Sequence, residues 1–279
     1  MMRRTLIAGG LIAALVVAAA MPSRAQEEET PTPPKQYWSF DGPFGTFDRA
    51  SAQRGFQIFA EVCSQCHSMN LVHYGDLERL GFSPEQVKAI AAKPFVNGKK
   101  VADIDDEGNP IERDARPSDA FVAPFANPKQ ALATLHAIPP DLSVIVKARA
   151  GGLNPLFGVS GPDYVYALLI EGYANPPADF KPASPTSNYD KYFPGHQISM
   201  PPPLSEDRVT YADGTKATEE QEGRDIVTFL AWAAEPTLEE RHRTGIAAML
   251  FLVSLTGVLY AGKRRIWSDV HRDEHDKED

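Results

Sequence analysis

The chain contains only two cysteines, and they stand three positions apart with a histidine directly after the second: Cys63, Cys66 and His67. Two thiols at this spacing near a helix end can each add to a vinyl group of haem, while the imidazole of the next residue reaches the iron from the same side. The pattern therefore predicts covalent attachment of one haem at Cys63 and Cys66, with His67 as an axial iron ligand.

Three other uses of this triplet are alternatives. A thioredoxin-like redox pair would follow a strand, whereas the preceding residues, 49–62, have helical spacing with Phe56 and Phe59 three apart. A zinc site would need two further ligands, and the chain has no second cysteine pair. A structural disulfide between the two cysteines would leave His67 without a role. Haem attachment accounts for all three residues.

The sixth iron position is filled in electron-transfer cytochromes and open in haem proteins that bind small ligands. Five of the six methionines are poor candidates for this position. Met1, Met2, Met21 and Met249 lie in the apolar regions near the two termini, and Met69 lies only two residues beyond His67, on the proximal side. Met200 remains, and it is flanked by prolines that stiffen its loop. We expect Met200 to be the second axial ligand. His196 is the competing ligand and would give a lower reduction potential.

The N-terminus has the features of a secretory signal peptide. Basic residues at its start precede an uncharged apolar stretch, and small residues stand at Ser23 and Ala25. This order predicts a signal peptide over residues 1–25 that is cleaved after Ala25. The mature chain would then begin outside the cytoplasm.

A second apolar run, residues 245–262, contains no charged residue. At ~1.5 Å per residue it is about 27 Å long, close to the ~30 Å hydrocarbon core of a bilayer. Basic residues flank it on both sides, so the signal peptide decides its orientation. We predict a single-pass protein of the cell inner membrane: a periplasmic domain (26–240), an anchor with its flanks (241–265) and a cytoplasmic tail (266–279).

The exported part of the chain is acidic. The whole chain has 28 Lys and Arg against 37 Asp and Glu. Setting aside the eight basic and six acidic residues of 1–25 and of the tail from Lys263 leaves 20 against 31, a net charge of −11. This balance argues against nucleic acid as a partner and favours a basic protein partner.

Apolar spacing predicts four helices before the anchor, at residues 49–62, 141–150, 162–173 and from Thr218 to just before Pro236. Thr218 begins a capping-box pattern with Gln221, and Thr237 begins a similar pattern ahead of the anchor. Residues 93–128 and 175–192 are rich in turn-forming residues and predict irregular loops.

Short motifs follow one another along most of the mature chain: Cys63-Ser64-Gln65-Cys66-His67-Ser68-Met69, Ile138-Pro139-Pro140-Asp141-Leu142-Ser143, Arg149-Ala150-Gly151-Gly152, Asp163-Tyr164-Val165-Tyr166, Tyr192-Phe193-Pro194-Gly195, Met200-Pro201-Pro202 and Trp232-Ala233-Ala234-Glu235-Pro236. The haem motif alone would not discriminate among c-type cytochromes. As an ordered set, the motifs resemble the cytochrome c1 family, the haem subunit of the cytochrome bc1 complex (ubiquinol–cytochrome c reductase).

The resemblance implies a mainly α, class I cytochrome c-like domain with large irregular insertions and one C-terminal transmembrane helix. It implies one covalently bound haem c with His67 and Met200 as axial ligands and Arg149 near a haem propionate. The subunit would lie with cytochrome b and the Rieske iron–sulfur protein in the bilayer complex, accept one electron from the Rieske protein and pass it to a soluble cytochrome c. On its own it would not be an enzyme.

Two departures from the family pattern are visible. Residues 153–161 form an extra Gly-containing segment, and no further cysteines are present for an accessory disulfide. Two other functions are alternatives: a membrane-anchored monohaem cytochrome that feeds another terminal reductase, and a haem enzyme with an open sixth site. The C-terminal position of the anchor disfavours the first, and Met200 disfavours the second.

Overall fold

The structure is a computed structural model that describes residues 30–151 and 160–275. The predicted mainly α class is confirmed, and two small antiparallel sheets accompany the helices. In chain order the elements are helix α1 (Arg49–Glu61), a 3-10 turn (Cys63–Gln65), a 3-10 helix (Tyr74–Leu80), helix α2 (Pro84–Ala92), strands β1 (Val101–Ile104) and β2 (Pro110–Arg113), helices α3 (Pro128–Leu135), α4 (Ile145–Ala148) and α5 (Gly161–Tyr166), a π-helical turn (Ala167–Glu171), strand β3 (Asn188–Tyr189), a 3-10 turn (Pro194–His196), strand β4 (Gln197–Ile198), and helices α6 (Glu219–Ala234) and α7 (Leu238–His275). The predicted signal peptide, residues 1–25, lies outside the described residues.

Helices α1 and α6 cross at close range in the centre of the domain. Helix α1 begins after Asp48, whose side chain accepts a hydrogen bond from the Ser51 amide at 3.1 Å and so caps the helix. Gly55 stands at the crossing, where a β-carbon would lie 2.0 Å from the carbonyl oxygen of Asp225. The helices can approach this closely because Gly55 has no side chain.

A buried ion pair joins the same two helices. The Arg54 guanidinium donates from Nε and Nη2 to the two carboxylate oxygens of Asp225, at 2.8 and 2.9 Å. Ser51 Oγ and Gln221 Nε2 donate to the same carboxylate at 2.7 and 3.0 Å. Asp225 is fully buried, and these four donors supply the hydrogen bonds that a buried charge requires.

Aromatic side chains pack around this crossing. Adjacent ring centroids lie 4.9 to 6.2 Å apart, within the range for favourable edge-to-face and offset contacts. The cluster consists of Phe56, Phe59, Tyr74, Phe95, Phe121 and Phe229. It connects α1 and α6 to the loops of the first half of the domain.

Strands β1 and β2 form a hairpin in a stretch that the sequence predicts to be irregular. Asp105 closes its turn by accepting a hydrogen bond from the Asn109 amide at 2.7 Å, and Arg113 binds the carboxylates of Asp103 and Asp119. The strands are only four residues long and lack the alternation of apolar residues that identifies a strand. The sequence feature that could have indicated this hairpin is its acidic, glycine-containing turn.

Two predicted helices have a different form. Only α4 is helical within residues 141–150, because Asp141 Oδ1 accepts a hydrogen bond from the Ser143 amide at 2.8 Å, a local turn that competes with helical bonding. Residues 162–173 are helical for most of their length, but α5 passes into the π-helical turn. Such turns are rare and frequently lie at functional sites.

Helix α7 continues from the domain into the predicted anchor. Among the described residues it is the one helix long and apolar enough to cross a membrane, with a mean hydropathy of 1.9 over its most apolar part within Leu238–Ser268. None of that apolar window is buried against the rest of the chain. A buried core helix is therefore excluded for this segment.

The first turn of α7 is fastened to the domain by its acidic residues. Glu239 accepts hydrogen bonds from the Phe47 amide at 2.9 Å and from the Arg49 guanidinium at 2.7 Å. Glu240 accepts one from Arg79 at 2.9 Å. The sequence predicts a capping pattern from Thr237 to Glu240 for this helix. In the structure the carboxylates of Glu239 and Glu240 bind residues of the domain, and these contacts fix the direction of the helix relative to the domain.

The ion pair between α1 and α6 can be tested by a matched pair of substitutions. Asp225→Asn should lower the free energy of unfolding by about 3 kcal/mol, because it leaves the charge of the nearly buried Arg54 without its main partner. Glu240→Gln removes an exposed carboxylate from Arg79 and should cost only a small fraction of that. Guanidinium unfolding followed by circular dichroism measures both. Equal effects would contradict the proposed importance of this pair.

Candidate functional site

The triplet of cysteines and histidine lies on a tight turn that directly follows α1. The amides of Cys66 and His67 both donate to the Cys63 carbonyl, at 3.1 and 2.9 Å. Ser64, which is fully buried, donates from its hydroxyl to the Ala60 carbonyl at 2.8 Å, and the Gln65 side chain donates to the Phe95 carbonyl at 2.9 Å. The turn is thus held by its two intervening residues, and the side chains of Cys63, Cys66 and His67 take no part in these bonds.

Both thiols are unoxidised and partly buried. Burial, reinforced by the neighbouring Cys66, raises the pKa of Cys63 to about 12. Burial also raises the pKa of Cys66. Reactive cysteines of redox enzymes have lowered pKa values, so this environment disfavours the thioredoxin-like alternative.

His67 is oriented by a backbone carbonyl. Its Nδ1 lies 2.8 Å from the carbonyl oxygen of Pro140, and because a carbonyl can only accept, Nδ1 must carry the proton. The lone pair of Nε2 is then available to a metal, as in many metal-bound histidines. Burial lowers the pKa of His67 against smaller opposing effects of Pro140 and Asp141, which favours the neutral, ligating form.

Asp141 holds the segment that carries this carbonyl. One of its carboxylate oxygens accepts hydrogen bonds from the Ser68 hydroxyl at 2.8 Å and the Asn70 amide at 2.9 Å. Its other oxygen accepts the Ser143 amide at 2.8 Å. Burial raises the pKa of Asp141, but these hydrogen bonds together outweigh it and keep the pKa below its usual value. The Asp141 carboxylate therefore joins the residues that follow His67 to the turn that follows Pro140.

Met200 lies just beyond the small β3–β4 hairpin, and the structure leaves it half-buried. Its carbonyl oxygen accepts hydrogen bonds from the Tyr173 hydroxyl at 3.0 Å and from Asn188 Nδ2 at 3.3 Å. These bonds hold the backbone of Met200 and so fix the position from which its side chain extends. Met69, in contrast, is fully buried.

His196, the competing ligand, is engaged within the same hairpin. Its Nδ1 lies 3.3 Å from the Asp190 carbonyl, and its ring stacks on Tyr189 with centroids 5.7 Å apart. Its backbone has φ +53°, a turn conformation uncommon outside glycine and asparagine. The imidazole thus has partners of its own within the hairpin.

Arg149 is exposed at the C-terminal end of α4. Burial raises the pKa of Tyr164, and the charge of Arg149 acts in the opposite direction. Asp190 of the β3–β4 hairpin acts on the same tyrosine. Arg149 and Asp190 therefore both act electrostatically on Tyr164. Residues 153–159 of the predicted insertion lie outside the described residues.

Three residues that shape the site were not identified from the sequence. Asp141 had a local signal, because an aspartate two residues before a serine often closes a turn. Tyr173 and Asn188 had none, since their hydrogen bonds to Met200 connect segments that are distant in the chain.

Comparison with known proteins identifies the family of this chain. A model of the Cytochrome C1 family matches residues 38–270. Cytochrome c1 of Rhodospirillum rubrum is 43% identical over 96% of this chain and 97% of its own length. Cytochrome b/c1 of Bradyrhizobium diazoefficiens is 40% identical over 95% of this chain but only 39% of its own length, and a mitochondrial cytochrome c1 haem protein of Arabidopsis thaliana is 40% identical over 95% and 82%. The matched region includes the cysteine turn, the Met200 loop and most of α7, and the chain belongs to the cytochrome c1 family.

Proposed function

We propose that this chain carries one haem c, attached by thioether bonds to Cys63 and Cys66, with His67 and Met200 as axial iron ligands. The observation that carries the proposal is the hydrogen bond from His67 Nδ1 to the Pro140 carbonyl at 2.8 Å. It fixes the tautomer and the direction of the ring and leaves Nε2 for iron. Membership of the cytochrome c1 family, which implies a haem cofactor, supports the same assignment.

The two thiols suit covalent attachment. They are free and lie one turn apart, and burial raises the pKa of both. Each S–H can add across a vinyl double bond, so that sulfur bonds to one carbon and hydrogen to the other. Once bound, the haem supplies one-electron iron chemistry, and the residues of this chain hold it and select its ligands.

Met200 is the better sixth ligand for two reasons. Its backbone is held by Tyr173 and Asn188, so its side chain is presented from a fixed position. His196 already contributes its ring to the hairpin by stacking on Tyr189. A His/Met pair gives a higher reduction potential than a bis-histidine pair, which suits an electron carrier.

Arg149 is proposed to pair with a haem propionate. It is an exposed cation at the end of the segment that begins at Pro140 beside His67. A guanidinium can donate two parallel hydrogen bonds to a carboxylate, so this position would neutralise a propionate at the edge of the site.

As a member of its family, the chain is an electron-transfer subunit of the cytochrome bc1 complex. We infer that it accepts one electron from the Rieske iron–sulfur protein and passes it to a soluble cytochrome c, with cytochrome b as its neighbour in the membrane. The relative named cytochrome b/c1 supports a close association with cytochrome b.

The net negative charge supports a basic electron acceptor, although less of it lies at the surface than the sequence suggests. Glu222, in the acidic first turn of α6, is fully buried and accepts a hydrogen bond from the Val209 amide at 3.1 Å. Asp106, Glu107 and Glu112 of the β1–β2 hairpin are exposed. Exposed carboxylates such as these would steer a basic partner by long-range attraction.

The membrane arrangement that we propose has α7 crossing the inner membrane once. Residues 1–25 would be removed as a signal peptide, the haem domain (26–240) would face the periplasm, and the anchor (241–265) would lead to a cytoplasmic tail (266–279). The apolar, unburied surface of α7 supports the crossing, and the contacts of Glu239 and Glu240 would hold the domain at a fixed angle to the bilayer.

Substitution of Met200 tests the function directly. Met200→Leu should abolish the weak far-red band of methionine-ligated ferric haem and lower the reduction potential by on the order of 0.1 V or more, because leucine has no sulfur lone pair. Met69→Leu, at the fully buried methionine beside His67, is the matched control and should retain the band. Optical redox titration measures both quantities.

Binding of carbon monoxide to the same proteins tests whether the sixth iron position is open. The reduced wild type should bind it poorly and Met200→Leu readily. A wild type that binds carbon monoxide readily would favour the alternative of a haem enzyme with an open sixth site.

The role of Asp141 can be tested by comparing two turn-closing aspartates. Asp141→Ala should broaden the distribution of His67 ring orientations, because the Pro140 carbonyl is no longer held. We expect a heterogeneous low-spin signal in electron paramagnetic resonance of the oxidised protein. Asp105→Ala removes an equivalent turn carboxylate from the β1–β2 hairpin and should leave the signal unchanged. Identical spectra for wild type and Asp141→Ala would refute this role.

A further inference from the structure

Asp190 is a fully buried carboxylate in the turn of the β3–β4 hairpin. Its Oδ1 accepts hydrogen bonds from the backbone amides of Tyr192 and Phe193, at 2.8 and 3.0 Å. Its Oδ2 is buried as well, and no donor reaches that atom from any residue that the structure describes. The electron-transfer function described above gives this side chain no task.

The backbone of the hairpin closes around the same residue. The Asp190 amide donates to the His196 carbonyl at 3.1 Å, and the Asp190 carbonyl is the partner of the His196 ring. The strands on either side pair Asn188 with Ile198. Met200 follows two residues after the second strand, and the Asn188 side chain binds its carbonyl oxygen. The turn that Asp190 organises therefore sets the position of Met200.

Asp190 also packs against the end of the π-helical turn. The amide of Lys191 donates to the Gly172 carbonyl at 3.0 Å. A β-carbon on Gly172 would lie 2.2 Å from Asp190 Oδ2, so the carboxylate occupies the space that the glycine leaves. The next residue, Tyr173, donates its hydroxyl to the Met200 carbonyl at 3.0 Å. The helix end and the hairpin thus meet at Asp190 and again at Met200.

We propose that Asp190 is a positioning residue, which holds the hairpin against Gly172 so that the Met200 thioether is kept at the iron. The proposal rests on the ligand role of Met200 in the proposed function. Oδ1 acts here as an acceptor of two amide hydrogen bonds, a role that an asparagine carbonyl can also perform. The geometry of the side chain, and not its charge, is therefore what matters.

The first test is competition between Met200 and added imidazole in the oxidised haem protein. An external ligand binds only when the thioether has left the iron, so its apparent affinity reports the fraction of molecules without Met200 bound. In Asp190→Ala, the loss of two acceptor bonds should raise the apparent imidazole affinity about tenfold or more. Asp190→Asn should stay within about twofold of the wild type, since it keeps the acceptor.

A second set of variants tests the packing on Gly172. Gly172→Ala should raise imidazole affinity as Asp190→Ala does, because its β-carbon would displace the carboxylate. In the double variant Gly172→Ala with Asp190→Ala the clash is gone, so its affinity should not exceed that of Asp190→Ala alone. Independent, additive effects would overturn the proposed contact.

The outcomes separate this proposal from the proposed function. A wild type without the far-red band refutes Met200 ligation and this proposal with it. A wild type with the band, whose imidazole affinity is unchanged in Asp190→Ala, refutes only the role of Asp190. Asp119→Asn, which weakens the contacts of Arg113 beside the β1–β2 hairpin and so destabilises the fold away from the β3–β4 hairpin, should leave imidazole affinity at the wild-type level. An equal rise in that variant would mean that general destabilisation explains the result and would overturn the positioning role.

Discussion

The two proposed iron ligands come from distant parts of the chain and can share one metal only if the protein fixes their separation, and the crossing of α1 and α6 is the constraint that would do so. Helix α1 leads directly into the cysteine turn, and α6 follows the Met200 loop. Gly55 lets the two backbones approach, and the buried pair of Arg54 and Asp225 locks their orientation. Because α1 and α6 are held together, the long segments between them can be irregular without changing the positions of the proposed ligands.

The irregular segments are held chiefly by carboxylates that accept backbone hydrogen bonds. Asp141 organises the turn that presents a carbonyl to His67, and Asp190 organises the hairpin that leads to Met200. A carboxylate also holds the start of the anchor helix, where Glu239 accepts a hydrogen bond from the Phe47 amide. Part of the acidic character of the domain is therefore structural, and the exposed carboxylates are the ones available to a basic partner. Because Glu239 binds Phe47 and Arg49 at the start of α1, and α1 leads into the cysteine turn, these contacts connect the membrane helix to the site.

Sequence reasoning identified what depends on short spacings and strong periodicity. The capped helix α6 and the apolar helix α7 are of this kind and are present in the structure. The haem-binding role of the thiol and imidazole triplet, and that of Met200, which was reached by elimination, stay predictions. Sequence reasoning missed the β1–β2 hairpin, whose short exposed strands carry no periodic signal, and it made the helix before Arg149 too long, because Asp141 bonds to the backbone locally. The hydrogen bonds of Tyr173 and Asn188 to Met200 depend on tertiary contacts that no local pattern encodes.

Covalent attachment of haem at the cysteine turn is the central claim, and peptide mass spectrometry tests it most directly. Trypsin should release residues 55–79, which lie between Arg54 and Arg79 and contain both cysteines. For the mature protein purified from its native membranes, the account predicts that this peptide carries the mass of one haem and that neither thiol reacts with iodoacetamide. A peptide of unmodified mass with two alkylated cysteines would contradict it.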